Sequence, residues 1–94
     1  MIIGVLEVAL AFYAFSLKEK RSIVKRIIQR TKTTFNVSIA EIDELDNPGG
    51  AVIGVVVVGN EHSFIERTLD KIENHIDALE LAEITDSRKT VTRH

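Results

Sequence analysis

An α+β fold, one antiparallel four-stranded sheet with two helices on a single face, is what this sequence predicts. Three observations lead there. Four strand-like segments and two amphipathic helical segments alternate in the order βαββαβ. The one Pro-Gly reversal falls between the second and third strands, where a hairpin belongs. The first and third strands are the most apolar, as the two central strands of such a sheet should be.

From Ile2 to Phe12 the even positions (Ile2, Gly4, Leu6, Val8, Leu10, Phe12) form an apolar face of period two, and Glu7 is the one charge among the odd positions. Ser16 then stands where an N-cap belongs, with Glu19 at capping-box spacing, so the first helix is predicted from Ser16 to about Phe35. On a helical wheel Leu17, Val24, Ile27, Ile28, Thr31 and Phe35 share one arc, which is the core stripe. Lys20 alone among the bases points to that side, and its stem is expected to lie against Phe15 while its ammonium reaches water. Asn36 suits a left-handed cap, and Val37 to Ile42 reads as the second strand. Asn47-Pro48-Gly49-Gly50 predicts a type II turn. Ala51 to Val58 is so uniformly apolar that a strand buried on both faces is expected. Asn60 is the expected N-cap of the second helix, whose apolar positions run from Phe64 and Ile65 through Leu69, Ile72 and Ile76 to Leu79. Its acids Glu66, Asp70, Glu73 and Asp77 fall on the opposite pole and are expected to face water. Glu80 to about Asp86 reads as a short fourth strand and residues 87–94 as a polar tail, in which Thr90-Val91-Thr92 retains some strand character.

Two right-handed crossovers and one hairpin close this order into a ferredoxin-like domain spanning residues 1–94, with strands in the order four, one, three, two. Both helices then cover one face. The other would show Ile3, Val5, Ala9, half of the valines of the third strand and Ile42, more apolar surface than a monomer usually leaves open. A homodimer through this open face is therefore expected, with Ile3, Val5 and Glu7 in the interface.

With no cysteine among 94 residues, disulfides and thiol chemistry are excluded, and the chain suits a reducing, cytoplasmic setting. The apolar amino-terminal run breaks at Glu7, too short for a membrane anchor. The net charge of −2 hides a segregation. Lys18, Lys20, Arg21, Lys25, Arg26, Arg30 and Lys32 stand against Glu19 alone, so the segment from 18 to 32 carries +6 and the rest −8. Such a helix is either a solvated amphipathic face or a phosphate-binding surface. On the second reading Lys18, Arg21, Lys25 and Lys32 track one nucleic-acid backbone while Arg26 and Arg30 add breadth.

Other motifs point to no chemistry. The third strand lacks the aromatics with which sheets of this kind stack RNA bases. The loop Tyr13-Ala14-Phe15 has neither the Gly nor the Arg that an anion-cradling first loop needs. Glu41, Asp43, Glu44 and Asp46 read as a charged edge strand that discourages intermolecular pairing, in preference to a cation site. His62, His75 and His94 lack ligand spacing, and His75 is expected to pack at the border of the core; no metal and no cofactor is called for. Glu7, a lone carboxylate on an apolar face, is read as the partner of a cation across the dimer interface or, alternatively, as a general base.

The segments Met1-Ile2-Ile3-Gly4-Val5-Leu6-Glu7, Ser16-Leu17-Lys18-Glu19-Lys20-Arg21-Ser22 and Phe35-Asn36-Val37-Ser38-Ile39-Ala40-Glu41 resemble the YlxP-like family of small bacterial proteins, a domain of unknown function. The resemblance runs over nearly the whole chain. It implies a ferredoxin-like fold, a cytoplasmic setting and a gene neighbourhood shared with translation initiation and ribosome-maturation factors, with no established activity. Asp46-Asn47-Pro48-Gly49-Gly50 departs from the family pattern, in which this segment often carries Trp. The expected function is a non-enzymatic, dimeric protein that touches RNA or the ribosome with its basic helix. The alternatives are a small-molecule sensor or enzyme with a site at the dimer interface near Glu7, and a structural homo-oligomer without ligand.

Overall fold

Strand β1 (Ile2–Ala11) is the axis of the sheet, paired antiparallel along its whole length with β3 (Gly50–Gly59) on one side and β4 (Glu83–Arg93) on the other. A computed structural model describes residues 1–94. Its remaining elements are α1 (Leu17–Thr34), β2 (Ser38–Asp43) and α2 (His62–Ala78). The strand order β2-β3-β1-β4, all antiparallel, is the expected ferredoxin-like topology. No helix is long and apolar enough to cross a membrane.

The alternation in β1 does what its period requires. Ile2, Leu6, Val8 and Leu10 are buried under the helices, together with Ala51, Ile53 and Val55 of β3 and Ile65, Leu69, Ile72 and Ile76 of α2. Each Val, Leu or Ile side chain among them adds roughly 1.5–3 kcal/mol over its exposed state. Gly4 and Gly59 are glycines because α2 presses onto the sheet there. A methyl group on Gly4 would lie 2.5 Å from Ile65 Cγ2 and 3.0 Å from Val57 Cγ1, and one on Gly59 2.7 Å from Ile65 Cδ1.

Several local expectations are corrected. β4 is not a short strand with a polar tail: it runs eleven residues, and residues 87–93 pair with β1 as far as Ile2↔Arg93. β3 is central but buried on one face only, with Val56 and Val58 exposed on the other. The turn at Pro48 is not type II, since no glycine has a positive φ. Instead Asn47 Oδ1 accepts from Gly49 N at 2.9 Å, and the Asn47 carbonyl from Gly50 N at 3.4 Å. The left-handed positions are Glu44 and Glu80. Asn36 is not the cap of α1; extended Phe35 is, its N–H donating to the Thr31 carbonyl. Glu61, not Asn60, is the N-cap of α2 and makes no side-chain capping bond. Phe64 stands exposed instead of joining the core.

Candidate nucleic-acid interface

α1 begins as its sequence dictates. Ser16 Oγ accepts from Glu19 N at 3.2 Å, while the Glu19 carboxylate accepts from Phe15 N at 3.1 Å, one residue outside the position that closes an ordinary capping box. Val24, Ile27 and Thr31 are buried against the sheet, and the Thr31 hydroxyl donates to the Ile27 carbonyl at 2.7 Å. With that stripe fixed inward, the helical period sends the charged residues outward. Lys18, Arg21, Lys25, Arg26, Arg30 and Lys32 are all exposed. Between Lys18 and Lys32 the axis rises about 21 Å. Only Arg21 meets an acid, Asp46, at 3.8 Å across an exposed gap where such a pair contributes little. Arg30 also borders a shallow groove of about 310 Å³ between the helices, beside Thr34, His75 and Leu79. The His75 ring meets Phe35 edge-on at 5.4 Å, as a packed imidazole does.

Lys20 departs from its expected place. Its side chain is fully enclosed, and its ammonium does not reach water. It donates to the carbonyl oxygens of Glu44 at 2.7 Å, Gly50 at 2.9 Å and Leu45 at 3.3 Å. Glu41 Oε2 lies 2.9 Å away, an ion pair without a directed hydrogen bond, since the three carbonyls already take the three protons. Glu41 thus faces inward and is not part of a solvent-facing acidic edge. Phe15, expected to cover the lysine stem, is 98% exposed, and Tyr13 is 91% exposed.

Three of the four acids of α2 also have partners. Asp70 and Glu73 reach Lys89 of β4 at 2.9 and 3.4 Å, and Glu66 lies 2.8 Å from His62 Nδ1. The hydrogen bond from Asp70 raises the Lys89 pKa above its usual 10.5, burial opposing the shift and the charges of Glu73 and Asp70 adding to it. None of these acids neutralises α1.

On the open face Ile3 and Val5 stand beside Val58 and Val56 in the β1–β3 register. Glu7 lies between Gly54 and Arg88. Its carboxylate is 4.0 Å from the Arg88 guanidinium of the same chain, so a cation is within reach without a partner. The depression here, about 200 Å³, is lined by Glu7, Asp86, Ser87 and Arg88, with only Ala9 and Val52 apolar. It is not an apolar cavity of the kind a raised-pKa base would need. No three His, Asp or Glu side chains converge to hold a metal ion.

The family described as protein of unknown function, DUF503, matches residues 3–89. This chain belongs to the DUF503 family. The DUF503 chain is also 36% identical, over 80 residues, to the uncharacterized protein YlxP of Bacillus subtilis (strain 168), covering 85% of this chain and 82% of that protein. Among solved structures it is similar to the de novo designed protein LFR1 1 with ferredoxin fold, with a TM-score of 0.60 at 23% identity over 100% of this chain and 88% of the other. It is also similar to the de novo designed protein Foldit4, with a TM-score of 0.54 at 21% identity over 98% of each. At these identities the likeness of the DUF503 chain to the designed proteins concerns the fold alone.

The exposed rings of Tyr13 and Phe15 and the enclosed Lys20 were not apparent from residue patterns. Only the position of Lys20 on the core side of the wheel pointed toward its enclosure.

Proposed function

We propose that this protein is a non-enzymatic binding protein that contacts RNA, free or within the ribosome, through the solvent face of α1. The supporting observation is the row of six exposed bases on one helix, of which only Arg21 has an acid within ion-pair distance. Folding does not require them, since the core stripe of α1 is complete without them. The translation-linked setting that the family resemblance implies agrees with this reading. Phosphates bound along the helix would release counterions, so affinity falls steeply with salt. The test is a titration of RNA at several salt concentrations with the wild type and with Lys25→Glu/Arg26→Glu, both exposed positions. The variant is expected to bind more weakly, with the slope of log affinity against log salt reduced by about 0.7 for each single-strand phosphate that it no longer neutralises. Affinity and slope both unchanged would overturn the proposal.

A second reading concerns assembly. We infer that the open sheet face packs on the same face of a second copy. Val58 is 60% exposed, Ile42 48% and Val56 41%, contiguous with Ile3 and Val5. The polar edge of this face is self-complementary: Asp86 has no ion-pair partner and Arg88 only a distant one, so a two-fold axis sets each against the other.

A further inference from the structure

We propose that the β1–α1 loop is a base-stacking platform, on which Tyr13 and Phe15 hold unpaired bases of a single-stranded RNA whose phosphates continue along α1. This rests on the RNA reading of α1 and narrows it to single strands.

Two aromatic side chains two residues apart are left in water, Tyr13 at 91% and Phe15 at 98%, and neither stacks on another ring. The loop carrying them is tied at both ends. Phe12 is buried and its N–H donates to the Gly49 carbonyl at 3.0 Å, and Phe15 N donates to Glu19 at 3.1 Å. The rings are thus displayed from an anchored backbone, which lowers the ordering cost of binding. Phe15 lies two residues before the start of α1, whose exposed Lys18 and Arg21 begin the basic face. Tyr13 borders a depression lined by Asp77, Glu80, Leu81 and Glu83 on the other side of the loop. Aromatic platforms beside a positive track are how proteins hold single strands without reading sequence, and a duplex, whose bases are already stacked, offers the rings nothing.

The charge layout separates this from an anionic membrane surface, the other partner that aromatics beside bases can serve. The β2–β3 turn at the same end of the molecule carries Asp43, Glu44 and Asp46, all exposed. A flat bilayer approaching the rings would press its headgroups against those acids and against Asp77, Glu80 and Glu83 beside Tyr13, whereas a strand can follow α1 to Phe15 and present only a neutral base to Tyr13.

Tyr13 is the only tyrosine and there is no tryptophan, so intrinsic emission reports on the loop. The probes are a ten-nucleotide oligouridylate, an RNA duplex, inorganic polyphosphate and phosphatidylglycerol vesicles. The oligouridylate is expected to quench Tyr13, and polyphosphate to bind without quenching. Phe15→Ala, an exposed position that the fold does not need, is expected to weaken oligouridylate binding about tenfold while leaving polyphosphate binding unchanged. Salt-dependent oligouridylate binding with no quenching and no effect of Phe15→Ala would overturn the platform and leave the α1 reading standing. Binding by none of the probes would overturn both. Equal quenching by duplex, or quenching by vesicles and not by RNA, would also overturn the platform.

Discussion

Methionine in place of Lys20 would keep the apolar stem and remove the donor shared by the carbonyls of Glu44, Leu45 and Gly50. It would also strand the Glu41 carboxylate, whose side chain is only 12% exposed. Urea unfolding is expected to show Lys20→Met destabilised by about 3 kcal/mol, with about 1 kcal/mol recovered when Glu41→Gln is added. A variant as stable as the wild type would mean that water satisfies the turn carbonyls. The wheel places Lys20 on the core side, which was legible. Its destination was not, because it depends on Glu44 adopting φ 62, a left-handed conformation that a glutamate rarely takes. Asp43 Oδ1 holds the Glu44 N–H at 2.8 Å and the Asn47 amide donates to the Glu44 carboxylate at 3.1 Å, so the turn is fixed by contacts that no residue pattern announces. The glycines have the same character: Gly4 is explained by Ile65 of a helix distant in sequence, and Gly59 by the same side chain folded back over the end of β3.

Among the elements, α1 and α2 were legible because each presents one apolar face at the helical period, and β1 and β3 because they are the two most apolar strand-like runs; their order determines the topology. β4 was not. As an edge strand it alternates nothing: Asp86, Arg88, Thr90 and Thr92 pair with β1 on the open face, and of the inward positions only Ile84 and Val91 are apolar, Lys89 being held by Asp70 and Glu73. The available signal was the β-branched run Thr90-Val91-Thr92, which keeps strand character in an otherwise polar segment. Residues 88–93 carry the pairings from Glu7↔Arg88 to Ile2↔Arg93 and place Val91 against the core. A chain ending at Ser87 should therefore lose its cooperative thermal transition in circular dichroism. Melting indistinguishable from that of the full chain would show the segment to be dispensable.

At the scale of the whole molecule, an elongated body of 42 × 21 × 18 Å separates its helix face from a sheet face on which Ile42, Val56 and Val58 stand exposed. Sedimentation is expected to find a dimer, and Val58→Asp a monomer of unchanged melting temperature at low concentration, since the side chain is already 60% exposed. A wild type that stays monomeric at high micromolar concentration would remove the dimer reading and leave α1 unaffected. The basic face of α1 was fully legible because charge on a helix needs only spacing to be placed; the neighbouring rings were not, because a side chain declares its exposure only once the backbone around it is known. Lys20 has one more use. Alone among the lysines it is enclosed, so an acylating reagent that modifies Lys18, Lys25 and Lys32 at once must wait for the β2–β3 turn to lift from α1 before it can reach this amine. The delay in labelling Lys20 is then a clock for that local opening, readable in the native protein without any substitution.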